Sequence, residues 1–107
     1  SATTVSFSYD NYNIDAMGSK KIRELANIIK SNDLSVRVEG HCDERGTREY
    51  NLALGEKRAN AVAELLIING VSRAQINTVS YGEEKPTSQG SNESSWSENR
   101  RAVIKTF

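Results

Sequence analysis

Val5, Phe7 and Tyr9 alternate with Ser6 and Ser8, and a period of two marks a strand with one buried face. "DNYN" (10–13) reads as a turn into a helix, with Asn13 or Asp15 placed to cap it. Ile22, Leu25, Ile28 and Ile29 then recur at helical spacing, with Lys20, Lys21, Arg23, Glu24 and Lys30 on the other side. "SND" at 31–33 closes that helix. Leu34, Val36 and Val38 alternate with Ser35, Arg37 and Glu39, a second strand that runs directly into "EGHCDERGT" (39–47). Gly46 and Thr47 read as a turn and an N-cap, with Glu49 favourable in the first turn of a long helix over 48–68. Leu54, Ala61, Val62, Leu65 and Leu66 form its apolar stripe. Gly55 costs that helix about 1 kcal/mol against alanine, so it marks a close approach to another element. Asn69-Gly70 is a helix stop.

The remainder of the chain reads as a third strand at Ile76–Tyr81, a polar loop over 82–95, and a last strand from Ala102 to Phe107. The loop contains the single proline, and Trp96 is placed to pack it back onto the body. The order β-α-β-α-β-loop-β predicts one domain over 1–107: a two-layer sandwich with both helices on one face of one sheet. At 107 residues the chain is long enough for one core and too short for two.

Charge narrows the partners. Fourteen basic residues balance fourteen acidic ones, and the basic excess of a nucleic-acid-binding domain is missing. Recognition by charge must therefore be local. The single cysteine excludes an internal disulfide, and no apolar run approaches the ~18 residues of a membrane span. A chain that begins at Ser1 without an initiator methionine is expected to be a piece of a longer or processed protein.

The densest chemistry lies in "EGHCDERGT", which holds the only histidine and the only cysteine. Zinc needs three or four ligands converging on one point. Adjacent residues of a strand point to opposite faces, so His41 and Cys42 do not readily grip one ion, and no metal or other cofactor is expected. A cysteine nucleophile needs a base within reach. Strand alternation instead places Cys42 with Val36 and Val38 on the buried face, where it acts as a small apolar filler. The same alternation sends His41 and Asp43 to the other side, with Asp43 at a strand end beside a helix start, a common binding position. Read alone, Arg58 is one helical charge among several, and Arg100-Arg101 form a polar entry to the last strand. No catalytic set is apparent.

Beyond these local patterns, "VEGHCDERGTREYNLALGEKRANAVAELL" resembles the signature of OmpA-like peptidoglycan-binding domains. "DERGTREYN", "VSYGEEKP", "SENRRAV" and the N-terminal "VSFSYDNYNI" are similar, more narrowly, to the lipoprotein branch of that family. The resemblance covers essentially the whole chain, with four segments agreeing in order and spacing. It implies an α+β fold, a β-α-β-α-β-β two-layer sandwich with helices packed on one face of a four-stranded mixed sheet.

The resemblance also implies a non-catalytic role: holding peptidoglycan through the diaminopimelate residue of its stem peptide, and so tethering the outer membrane to the cell wall from its periplasmic face. Carried over by motif, the family's binding aspartate falls on Asp43, its arginine on Arg58, and a further aspartate of the lipoprotein branch on Asp10. Gly46, Asn51 and Leu52 would line the same pocket, His41 would stand at its edge, and Arg101 lies in the matching "NRR" stretch. The implied alternative is docking of the periplasmic propeller protein TolB, within the Tol-Pal system. The membrane would be reached only through an N-terminal lipid anchor that this chain does not include. Two departures stand out: Cys42 replaces a residue that is often alanine or threonine, and Gly55 one that is often serine.

Overall fold

A computed structural model describes residues 2–107. The elements are β1 (Ala2–Ser6), α1 (Ala16–Asn32), β2 (Val36–His41), α2 (Arg48–Ile68), a 3-10 turn (Arg73–Gln75), β3 (Ile76–Gly82), α3 (Glu93–Asn99) and β4 (Arg101–Thr106). The sheet order is β1-β4-β2-β3. β4 is antiparallel to both its neighbours and β2 is parallel to β3, so the sheet is mixed. This is the α+β order expected from the resemblance.

Capping fixes the helix starts. The Asp15 carboxylate accepts from the Gly18 amide at 2.8 Å, and the Thr47 hydroxyl accepts from the Tyr50 amide at 3.1 Å. Each satisfies one of the amides that a helix N-terminus leaves without an internal partner. Ile22, Ala26 and Ile29 of α1 and Ala59, Val62 and Leu66 of α2 meet Val36, Val38, Ala102 and Ile104 from the sheet in one core. Burying each of the larger side chains among these, the valines, leucine and isoleucines, is worth about 1.5–3 kcal/mol.

α2 lies very close to β2. A methyl group on Gly40 would stand 1.7 Å from the Gly55 carbonyl oxygen, and one on Gly55 would stand 2.2 Å from the Ser80 hydroxyl. Gly55 therefore does mark a close approach, backbone against backbone, and Gly40 is its counterpart.

Two readings of the sequence need correction. The first strand is Ala2–Ser6 and not a run through Tyr9. Phe7 is still buried and its amide still bonds the Arg100 carbonyl at 3.0 Å, but the chain then turns. Tyr9 is exposed. The stretch read as loop up to residue 95 contains the start of a third helix, α3, capped by Asn92. Its Asn99 ties down the preceding chain, accepting from the Thr87 and Ser88 amides at 2.7 and 3.0 Å. Among the described residues no helix is long and apolar enough to cross a membrane.

Candidate functional site

A cavity of about 210 Å³ opens where β2 ends and α2 begins. It is lined by Tyr9, Asp10, Cys42, Asp43, Arg45, Gly46, Tyr50, Asn51, Leu54 and Arg58. Two carboxylates and two guanidiniums thus share one small space, although the chain as a whole is neutral.

Asp43 is buried, and its carboxylate is saturated from one side. It accepts from the Arg45 amide at 3.0 Å and from Arg45 Nε and Nη2 at 3.3 and 2.8 Å. Arg100 Nη1 lies 3.6 Å away. Burial pushes its pKa up, but the Arg45 hydrogen bonds and the charges of Arg45 and Arg100 outweigh this and hold it below the usual carboxylate value. Arg45 is itself clamped: its guanidinium sits 3.9 Å from the Tyr9 ring centroid and 4.0 Å from that of Trp96. Trp96 is held in turn by its indole N–H, which donates to Glu44 at 2.8 Å. The tryptophan does pack its segment back, onto the Glu44–Arg45 turn.

Arg58 comes from the middle of α2 and is only 1% exposed. Its Nε donates to the Asn11 carbonyl at 2.8 Å, Nη1 to that of His41 at 2.8 Å, and Nη2 to that of Ser8 at 3.1 Å. It clasps the turn after β1 to the end of β2. A guanidinium has five N–H groups; with three used, two remain, one on each terminal nitrogen. Asp10 reaches the cavity through a left-handed backbone (φ 51°), and the Tyr50 hydroxyl donates to its carboxylate. Asn51 stitches the turn, its Nδ2 donating to the carbonyls of Asp43 and Arg45 and to the Glu83 carboxylate, at 3.3, 3.0 and 2.8 Å. Gly46 adopts φ 101° there, a conformation that glycine takes at little cost.

Five of the eight residues assigned from the sequence therefore meet in one cavity: Asp10, Asp43, Gly46, Asn51 and Arg58. Three do not. Leu52 is half-exposed on α2 and does not line the cavity; Leu54 does. His41 and Arg101 are register partners across β2 and β4 and line a different hollow, one that also takes in Glu39 and Lys105. His41 is no rim residue, being 2% exposed. Of the arginine pair it is Arg100 that points toward Asp43, which the alternation of β4 foretells: Arg100 shares parity with the buried Ala102 and Ile104.

Arg45 and Tyr50 were overlooked. A charged and an aromatic residue near Asp43 in "DERGTREY" are unremarkable in sequence, and only the fold brings both to the cavity.

Cys42 is the buried filler it was expected to be, its thiol donating to the Asn51 carbonyl at 3.2 Å. Burial pushes that thiol up to about 11, far from a nucleophile's range. Among the described residues no His, Cys, Asp and Glu grouping could hold a metal.

Comparison with known proteins gives one family and a consistent set of relatives. The OmpA family model matches residues 6–100. The peptidoglycan-associated lipoprotein of Pseudomonas putida is 47% identical over 103 residues, 96% of this chain and 62% of that protein. The protein of the same name from Pasteurella multocida is 47% identical over 102 residues, 94% of this chain and 68% of that protein. The chain spans about three fifths of the length of the Pseudomonas relatives. Among solved structures, the crystal structure of the peptidoglycan-associated lipoprotein from Burkholderia pseudomallei superposes with a TM-score of 0.94 at 42% identity, covering 97% of this chain and 89% of that one. The C-terminal domain of Helicobacter pylori MotB shares the fold, with a TM-score of 0.89 at 23% identity.

Proposed function

The chain belongs to the OmpA family, and from that premise we propose that it is a non-catalytic module that holds peptidoglycan through the diaminopimelate of its stem peptide. In the full-length protein it would tether the cell wall to the outer membrane from the periplasmic side. The relatives' shared name, peptidoglycan-associated lipoprotein, supports the wall as partner. The observation that carries the finer reading is the meeting of Asp10, Asp43 and Arg58 in one cavity.

The free end of diaminopimelate is a zwitterion, with an ammonium and a carboxylate on one carbon. Asp43, kept ionised by its neighbours, and Asp10 are acceptors for the ammonium. The two unspent N–H groups of Arg58 are donors for the carboxylate. Arg58 is already fixed by three carbonyls, so little side-chain entropy is lost when it binds. Charge-assisted hydrogen bonds contribute about 1.5–3 kcal/mol each. A few of them give modest single-site affinity, sufficient where many anchored copies face a polymer of repeating sites. No proton transfer or nucleophile is needed.

The test is calorimetric binding of a diaminopimelate-bearing muropeptide, and of its lysine counterpart, to wild type and to Asp43→Asn. The lysine peptide lacks the second carboxylate and binds weaker, because Arg58 then has no partner. Equal binding of both peptides, or undiminished binding by Asp43→Asn, overturns the assignment.

A second reading is favoured by the cavity's exposed rim. Tyr9 and Tyr50 are 57% and 53% exposed, and aromatic residues of this kind are enriched in protein interfaces. A periplasmic protein partner of the TolB type would dock there and compete with the wall. Pull-down of TolB with and without muropeptide separates the two roles: simultaneous binding excludes a shared face.

A further inference from the structure

We propose that the open face of the sheet carries a second ligand site, in the hollow between His41, Arg101 and Lys85, that accepts a small oxyanion such as a carboxylate or phosphate group. The hollow measures about 560 Å³. It lies on the sheet face that carries Arg37, Glu39, His41, Arg101 and Lys105, opposite the core residues Val36, Val38, Ala102 and Ile104 of the same strands.

Three observations point to an anion. First, charge is concentrated there. Glu39 is already taken by two cations, Arg37 Nε at 3.0 Å and Lys105 Nζ at 3.2 Å. Arg101 and Lys85 then face Glu98 and the already paired Glu39, in a chain that is neutral overall. Second, Arg101 is aimed and held. Its Nη1 and Nη2 donate to the carbonyls of Asn99 and Lys85 at 3.3 and 3.0 Å, which leaves three of its five N–H groups for a ligand. Third, His41 lines the hollow at 2% exposure, and neither of its ring nitrogens has a hydrogen-bond partner. Its Nε2 stands 3.7 Å from Glu39. Buried polar groups are nearly always satisfied, and a neutral imidazole has one N–H to give.

An oxyanion between His41 and Arg101 answers all three. It takes the free guanidinium N–H groups of Arg101 and offsets the local positive charge, and the shielded imidazole N–H reaches it when the ring turns toward the hollow. That charge is felt by the ring: burial first, then Arg101, then Lys85 all work against its protonation, with Glu39 opposing. A cation is disfavoured, because Arg37 and Lys105 already stand at Glu39 and Arg101 and Lys85 stand beside it. The site is separate from the Asp43 cavity and does not depend on what that cavity binds.

The experiment is an NMR titration of the folded protein with inorganic phosphate and, separately, with acetate, at ionic strength held constant with sodium chloride. The expected result is a saturable shift of the His41 ring and Arg101 Nε–H signals with one or both anions. Phosphate alone assigns the site to phosphate-bearing ligands, and acetate alone to carboxylates. Lys85→Gln should weaken the binding about fivefold, the worth of one exposed charge. Among the described residues the Lys85 ammonium is otherwise engaged with the face of Tyr81, at 4.0 Å, so the variant folds and the test holds even if Arg101→Gln does not. Shifts that are linear and reproduced by chloride, or that Lys85→Gln leaves unchanged, overturn the proposal.

Discussion

Arg45 binds Asp43 three times over: its backbone amide, its Nε and its Nη2 all donate to the one carboxylate, at 3.0, 3.3 and 2.8 Å. Two residues apart in a tight turn, they make a closed unit that the rings of Tyr9 and Trp96 clamp from outside. Arg45→Gln removes the guanidinium bonds and leaves the amide bond. The Asp43 pKa should then rise toward its ordinary value, a change that a carboxyl-carbon NMR titration reads directly. In wild type the sign is that of a depressed acid: the stabilisation is present above the unfolded value of about 3.9 and is lost as pH falls through the folded pKa.

Arg58→Lys should destabilise the fold as well as weaken ligand binding. A lysine ammonium cannot reach the Ser8, Asn11 and His41 carbonyls in the same planar geometry. Each carbonyl left buried and unpaired costs about 1–3 kcal/mol. A loss of about 2–4 kcal/mol by urea denaturation is expected, since water reaches part of the gap.

Histidine titration gives a prediction of the same sign as that for Asp43, in a higher pH window. Burial, with Arg101 and Lys85 against the partial opposition of Glu39, holds the His41 pKa at about 4, below its ordinary 6.5. Between those values the unfolded chain binds more protons than the folded one, so stability rises with pH across that window. Above 6.5 the contribution is complete, and it falls away as pH drops toward 4. His41→Gln should flatten thermal stability against pH over this range.

The two glycines at the helix–sheet crossing are expected to respond unequally. Gly40→Ala drives a methyl group into the Gly55 carbonyl, which is backbone and cannot turn aside. A loss of about 3 kcal/mol or more follows. Gly55→Ala meets the Ser80 hydroxyl first, which can rotate away, and then the Gly40 carbonyl at 3.1 Å, which is backbone; it gains about 1 kcal/mol of helix propensity in partial return. Thermal melts should therefore place Gly55→Ala between wild type and Gly40→Ala.

Cys42 provides a direct measure of how closed the site is. With the thiol buried and its pKa near 11, iodoacetamide should label it only at the rate of unfolding. Rapid labelling at neutral pH would mean that the Cys42–Asn51 wall opens on its own.

Much of this was readable from residue order because burial imposes a period. Val36 and Val38, or Ile22 and Ile29, announce a strand and a helix and leave Asp43 just past the end of β2. Where no apolar period exists the reading failed. α3 is seven residues of "ESSWSEN", with Trp96 as its only large apolar residue, and its one advance sign was Asn92 ahead of Glu93, a cap before an acidic first turn. Tyr9 fits the alternation of β1, yet its ring is used against Arg45 and not in a core. The family resemblance brought Arg58 and Asp10 to Asp43 across 15 and 33 residues of sequence, which no local pattern could do. It also carried His41 and Arg101 along; His41 shares the parity of Asp43, but β2 ends at His41 with a register shift after Gly40, so the alternation does not extend to Asp43 and the two side chains part.

The contact between Gly40 and Gly55 has a consequence for the cavity itself. Asp43 follows Gly40 by three residues, and Arg58 follows Gly55 by three. Both charged side chains are thus measured out from one pivot, a strand and a helix pinned where neither has a side chain to act as a spacer. Like the tips of dividers set at a fixed opening, their separation is governed by the rivet and not by the turn between them. The turn of residues 44–47 then governs the charge and orientation of Asp43, through Arg45, and the spacing offered to a ligand is set elsewhere.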